Sequence, residues 1–245
     1  MSNPIQLSVL MPAYNEADRL HNNLIETITT LQAGTPAADC LSFEVIVIND
    51  GSQDGTAEVA LAVAENEPHL HVVTYSRNLG KGGALRQGFE QAHGNLVAFL
   101  DADLDLHPRL LFELLDVMRN AGADVVIGSK SHPKSHVEYP ILRRVYSRVY
   151  YTLVALLFGL PVQDTQTGIK IFKHVVLERE FPRMRVRGYA FDLELLALAH
   201  ADGYKIVSAP VSVVNQRLNQ RIRIKDVLAM LRDTLATWWR MRRSI

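Results

Sequence analysis

The sequence predicts an α/β fold, a mostly parallel β-sheet with helices on both faces. Three observations carry that prediction. Short apolar, β-branched runs alternate with longer stretches of helical period through the first half of the chain. Several of those runs end in polar, acidic or glycine-rich segments, as strands do where they open onto a ligand crevice. The length of 245 residues, with 48% hydrophobic and 21% charged, suffices to bury one large core and excludes a disordered chain.

The elements follow in order. Residues 7–11 read as a strand and 15–31 as a helix; 43–48 form a β-branched strand, followed by a turn and a helix over 56–65. A strand over 70–75 precedes a helix over 81–92, and a strand over 96–100 precedes a helix over 108–120 that opens on Pro108. Residues 124–127 make another short strand. The second half is less regular: helix 141–158, strand 168–173, helix 191–201 and strand 205–214. The stretch 224–240 is amphipathic, with Ile224, Val227, Leu228, Leu231, Leu235 and Trp238 on one stripe. We therefore divide the chain into a domain over 1–215 and a basic amphipathic segment over 216–245.

The formal net charge is zero, from 26 Lys+Arg and 26 Asp+Glu. Residues 1–128 nevertheless hold 6 Lys+Arg against 17 Asp+Glu, and residues 129–245 hold 20 against 9. The halves carry −11 and +11. Such a split prompts a search for a membrane or polyanion partner, and is equally met by two halves that attract each other. The single cysteine, Cys40, excludes an intramolecular disulfide framework and a cysteine-built zinc site. The opening Met1-Ser2-Asn3-Pro4 lacks the basic and apolar regions of a signal peptide, and the expected location is the cytoplasm. The longest apolar candidate, 149–162, is interrupted by Gly159 and Pro161 and is shorter than the ~18–20 residues of a spanning helix. Contact with a membrane would thus be peripheral.

Three strand ends carry candidate chemistry: Pro12-Ala13-Tyr14-Asn15-Glu16, Asn49-Asp50-Gly51-Ser52 and Asp101-Ala102-Asp103-Leu104-Asp105. The last is the sharpest. Carboxylates two residues apart suit a hard divalent cation, and Mg²⁺ needs only one or two of them when substrate phosphates complete its shell. Asn78-Leu79-Gly80-Lys81-Gly82-Gly83 opens a helix, where backbone N–H groups and a lysine suit an anion. It is not a dinucleotide fingerprint, because Leu85 occupies the third glycine position, and it is not a Walker A loop. His107, just past the acidic cluster, reads as a helix-start residue.

These motifs, in this order, resemble those of family 2 glycosyltransferases of the GT-A fold. Asp164-Thr165-Gln166-Thr167-Gly168 and Phe191-Asp192-Leu193-Glu194-Leu195-Leu196 are similar to the dolichyl- or polyprenyl-phosphate glycosyltransferases, the glucosyl branch more than the mannosyl. The resemblance implies a nucleotide-sugar half over 1–128 and an acceptor half over 129–215. Pro12, Tyr14 and Glu16 would then line base and ribose, Asp50 would contact the base, and Gly80 and Lys81 would lie close to the nucleotide. Asp101, Ala102 and Asp103 would meet ribose and metal–diphosphate, with Asp105 at a third position toward Mg²⁺ or Mn²⁺. Arg217, with Arg221 and Arg223, belongs to a segment suited to close over the donor diphosphate.

On the acceptor side, Arg143, Arg144, Ser147, Arg148 and Tyr151 share one face of the helix over 141–158, and apolar residues take the rest. Such a helix suits a bilayer surface, with guanidinium groups near phosphates. The resemblance places Lys130, Arg143 and Ser147 at the acceptor phosphate. Trp238 and Trp239 beside Arg240, Arg242 and Arg243 have the composition of an interfacial anchor, and equally suit packing on the domain.

The implied reaction moves a hexose, glucose from UDP-glucose before mannose from GDP-mannose, to a polyprenyl phosphate with inversion, on the cytoplasmic face of a membrane. Asp103 serves it through the metal. Asp164 and Asp192 are candidate catalytic carboxylates, each equally suited to orient a loop or cap a helix. Two other readings remain open on the residues: the same transfer to a soluble acceptor, and a catalytically silent membrane-binding module. Nucleic-acid binding is disfavoured, since the basic residues follow no recognition motif.

Overall fold

The computed structural model describes residues 5–34, 41–135, 141–162, 164–186, 188, 190–213 and 224–243, with only the backbone course given for 141–148, 224–228 and 243. Seven strands form one sheet in the order β3-β2-β1-β4-β6-β5-β7. In chain order they are β1 (Leu7–Ala13), β2 (Phe43–Asp50), β3 (Leu70–Tyr75), β4 (Leu96–Phe99), β5 (Val125–Ser129), β6 (Lys170–Lys173) and β7 (Ile206–Pro210). The helices are α1 (Ala17–Ala33), α2 (Thr56–Ala64), α3 (Lys81–Phe89), α4 (Leu110–Ala121), α5 (Ile141–Phe158), α6 (His174–Glu180), α7 (Phe191–Ala201) and α8 (Ile224–Arg243). Every element expected from the pattern is present. The structure adds α6 and a 3₁₀ turn over Phe181–Arg183.

The alternation of side chains along the strands sends residues to two separate cores. Leu7, Val9 and Met11 of β1 and Val45 and Val47 of β2 pack with Leu20, Leu24 and Ile28 of α1 and Leu111 and Leu114 of α4. Leu10, Ile46 and Ile48 face the other way, against Ala84 and Leu85 of α3 and Leu193 and Leu196 of α7. β1 runs through Pro12 although proline cannot donate to a ladder. It pairs with β2 along Leu7–Ala13 but with β4 only from Leu7 to Leu10, so Pro12 lies beyond the second ladder.

One departure from the parallel pattern positions the site. β6 is antiparallel to both β4 and β5, with Lys170 opposite Phe99 and Lys173 opposite Leu96. An antiparallel strand enters the sheet at the end where its parallel neighbours leave it. The Asp164–Gly168 lead-in is thereby delivered to the carboxyl end of β4, beside Asp101.

The C-terminal helix is docked on the domain. The Tyr150 and Thr234 hydroxyls lie 3.1 Å apart, Arg240 is ion-paired to Glu194 at 2.7 Å, and Gln166 Nε2 lies 2.8 Å from Met230 Sδ. Glu194 also accepts the backbone N–H groups of Arg185 and Val186, so it ties the segment before α7 to α8. No helix among the described residues is long and apolar enough to cross a membrane.

Candidate active site

The loops after β1 and β2 are laced together by side chains that cap backbone N–H groups. Asn15 N–H donates to Ser52 Oγ (3.0 Å), Gln53 N–H to Asn15 Oδ1 (3.0 Å), and Ala17 N–H to Asp54 Oδ2 (3.2 Å). Asn15 has φ +54°, a left-handed conformation that asparagine tolerates through such local bonds. The Thr56 hydroxyl on Asp54 holds that carboxyl below the usual range. Pro12 and Glu16 lie on this rim and Tyr14 is exposed on it.

Asp50 is buried, and its Oδ1 accepts the Leu79 N–H at 2.7 Å. The Asn78 amide returns a bond to the Asp50 carbonyl at 3.1 Å, and Asn78 Oδ1 accepts the Gly80 N–H at 3.0 Å. Asp50 therefore shapes the turn that launches α3, whatever else its second oxygen meets. Lys81 is the first residue of α3 and is ion-paired to Asp101. Burial depresses the Lys81 amine, but Asp101, Asp192 and Asp103 outweigh it and hold the group above its ordinary range. Gly82 follows because α7 abuts here: a Cβ at Gly82 would stand 2.7 Å from the Phe191 side chain.

The acidic segment is held in an unusual backbone. Leu104 has φ +49°, a strained conformation for a branched apolar residue, costing on the order of 1–2 kcal/mol. Burial of the Leu104 side chain at 5% exposure, and the Asn23 amide on the Ala102 carbonyl at 2.7 Å, oppose its release. The strained turn lets Asp103 Oδ1 accept the Asp105 N–H at 3.2 Å. His107 acts as expected of a helix start, its Nδ1 accepting the Arg109 N–H at 3.1 Å ahead of α4.

Asp101, Asp103 and Asp105 line one cavity of about 90 Å³ together with Leu106, Lys130, Gln166 and Gly168. Among the described residues no three His, Cys, Asp or Glu side chains converge as a metal cluster. The carboxylates thus do not form a protein-only cage, and Asp101 already carries Lys81. A hard oxygen-seeking cation held by one or two carboxylates and completed by phosphate oxygens fits this donor set.

Residues 8–181 match glycosyl transferase family 2. The chain belongs to that family. Its fold is that of solved GT-A glycosyltransferases. The glucosyl-3-phosphoglycerate synthase of Mycobacterium tuberculosis, solved with Mn²⁺, uridine diphosphate and glucosyl-3-phosphoglycerate, superposes with a TM-score of 0.68 at 24% identity, over 95% of this chain and 78% of that one. Among curated relatives, glycosyltransferase AglD of Haloferax volcanii is 32% identical over 237 residues, covering 97% of this chain and 38% of the relative. The dolichyl-phosphate beta-glucosyltransferase ALG5A of Trichomonas vaginalis is 32% identical over 235 residues, covering 94% and 72%. The corresponding Drosophila melanogaster enzyme is 33% identical over 220 residues, covering 85% and 66%. The chain therefore spans less than half the length of the haloarchaeal relative and about two thirds or more of the other two.

In this family 2 glycosyltransferase the two expected catalytic carboxylates are buried and engaged. Asp164 accepts the Lys130 N–H on Oδ2 (2.8 Å) and the Tyr151 hydroxyl on Oδ1 (2.9 Å). It clamps the cavity loop bearing Lys130 to α5. Asp192, 4% exposed, sits 2.6 Å from the Lys170 ammonium. Burial raises the Asp192 carboxyl and lowers the Lys170 amine, and each opposes the shift of the other. Arg143 and Ser147 lie in the first half of α5, and their side chains are outside the described residues. Arg217, Arg221 and Arg223 lie outside the described residues, as does Cys40.

The residue that sequence reading missed is Lys170. It is fully buried, and its ammonium also donates to the Thr167 carbonyl at 2.5 Å. In the run Ile169-Lys170-Ile171-Phe172-Lys173 it looks like the polar member of an alternating strand. Its distance from Asp192 along the chain gave no hint of the pair.

Proposed function

We propose that this chain transfers glucose, with inversion, from UDP-glucose to a dolichyl or other polyprenyl phosphate at a membrane surface. The observation that carries the reading is the cavity itself. Asp101, Asp103 and Asp105 form its acidic side, Lys130 stands on it as a cation, and Asp164 bolts the Lys130 loop to α5. One crevice thus meets both an acidic donor half and the basic acceptor half. The names of the curated relatives support a dolichyl-phosphate acceptor and glucose, and the UDP complexes of the structural neighbour support a uridine donor over GDP-mannose.

The acceptor phosphate oxygen forms the new bond to the anomeric carbon as the bond to the donor diphosphate breaks. A phosphate is already anionic, so no general base is required, and the protein's task is to position it. Lys130, with Arg143 and Ser147 on α5, takes that role. Asp164 and Asp192 orient the loops around the reacting groups. Asp103, with Asp105 or Asp101 beside it, would hold Mg²⁺ or Mn²⁺, which supplies neutralising charge to the departing diphosphate. Lys81 adds a second cation on the same side, and Pro12, Tyr14, Glu16 and Asp50 form the nucleoside rim.

Purified protein with Mn²⁺ or Mg²⁺ is to be offered labelled UDP-glucose or GDP-mannose with a polyprenyl phosphate. Organic-extractable product from UDP-glucose is expected. Water-soluble product with an added sugar or metabolite would replace the acceptor assignment, and absence of transfer under every pairing would overturn the enzymatic reading.

The outward faces of α5 and α8 support a peripheral attachment to the membrane surface. Val149 and Leu156 on α5 and Leu235 and Trp239 on α8 are exposed large apolar residues, Leu156 at 80%. Arg242 stacks over the Trp238 ring at 4.6 Å, an arrangement suited to headgroup depth. The double variant Leu156→Asp/Trp239→Asp should lower co-sedimentation with vesicles containing acidic lipid by about tenfold or more. Unchanged sedimentation in a folded variant would move the membrane contact elsewhere.

A further inference from the structure

Lys170 and Asp192 form a buried ion pair, and its role rests on the proposed donor site. Four charged groups from four segments alternate in sign behind the cavity. Lys170 opens β6, Asp192 lies in the first turn of α7, Lys81 opens α3 and Asp101 follows β4. Lys170 pairs with Asp192 at 2.6 Å and Lys81 pairs with Asp101. Asp192 also acts electrostatically on Lys81, and Lys81 and Asp101 act on Lys170. Two close approaches make this assembly possible. Gly82 leaves room for Phe191, which brings α7 onto α3, and Gly168 leaves room for the Asp101 carboxylate.

We propose that Lys170 is a positioning residue for donor binding, which occupies the Asp192 carboxylate so that Lys81 stays with Asp101 at the cavity and is available to the donor diphosphate. The physical reason is competition. Lys81 stands among Asp101, Asp103 and Asp192, and a single ammonium goes to the carboxylate whose charge is least compensated. Asp192 is the most buried of these and the least screened by water. With Lys170 in place, it has its own cation. Without Lys170, an uncompensated buried carboxylate draws Lys81 inward, away from the cavity. Lys170 further fixes the Thr167 carbonyl, one residue before the Gly168 that presses on Asp101. Lys170 is not among the residues that line the cavity, so its effect is indirect.

The test uses UDP and GDP with Mn²⁺, titrated calorimetrically against the full chain, with thermal unfolding recorded in parallel. Lys170→Met is expected to weaken nucleoside-diphosphate binding by about tenfold or more. Removing the competing charge in Lys170→Met/Asp192→Asn should bring nucleoside-diphosphate affinity back to within about threefold of the unsubstituted chain, while sugar transfer, for which Asp192 orients the surrounding loops, stays impaired. A merely structural lysine predicts a different pattern, in which binding follows the folded fraction and a folded Lys170→Met binds normally. That outcome overturns the proposal, as does a folded double variant that fails to regain affinity. Where Lys170→Met alone does not fold, the double variant decides, because its binding is expected near normal. Absence of nucleoside-diphosphate binding by the unsubstituted chain would instead overturn the donor-site reading, and this inference with it.

Discussion

Asp103→Asn is expected to lower the rate of sugar transfer by about a thousandfold, while the fold and its melting temperature stay near those of the unsubstituted chain. The side chain is half-buried on the cavity wall, and among the described residues its Oδ1 accepts the Asp105 N–H. Asparagine preserves that bond and the shape, and removes the charge. What is lost is the anionic ligand for a cation whose charge is needed when the diphosphate departs. Nucleotide affinity should consequently lose its dependence on Mn²⁺, which separates a metal role from a general weakening of the site. Near-normal transfer by this variant would sink the metal assignment and shift attention to Asp105. The neighbouring Asp101→Asn should behave differently, because Asp101 also secures Lys81.

Gly168→Ala is the second large effect. It adds one methyl group to a residue that lines the acidic cavity. The added Cβ would overlap the Asp101 carboxylate outright. Asp101 cannot yield without disturbing Lys81, and the loop cannot yield without moving Gln166, which lines the cavity and contacts Met230 of α8. A displacement of about 1 Å in a positioned group is enough to cost roughly a hundredfold in rate. We expect that loss in kcat with smaller change in KM for the acceptor. The chain should still fold, since β6 begins only at Lys170 and keeps its ladders to β4 and β5. Activity within about threefold of the unsubstituted chain would show that the lead-in loop is not packed on Asp101 in the working enzyme.

Much of this was legible from residue order. Every expected strand and helix is present, because a β-branched run and a helical stripe each bury their apolar side chains best in one type of element. The signal failed at α6. The expected strand ends at residue 173 and the pattern assigns nothing before 191, because the seven residues His174–Glu180 are too few to display a helical stripe. Strand direction was equally silent. The pattern of β6 is that of any strand, and only pairing shows that it runs against β4 and β5. The three acidic residues were found because they follow an apolar strand, yet their spacing could not show that Asp101 is shared with Lys81 or that Leu104 bends the chain between Asp103 and Asp105.

The zero net charge with its two opposed halves is a property of composition, and so are the order of the motifs and the family they mark. Such features survive any packing, because they depend on residue type and on local period. Which groups share a charge is another matter. Asp164 and Asp192 look alike on paper, single carboxylates in polar-apolar motifs. Folding placed the first between Lys130 and Tyr151 and the second against a lysine buried in the sheet. Electrostatic partnership is decided over a few ångströms in space and by burial, and neither distance nor burial is written in the spacing of residues along a chain.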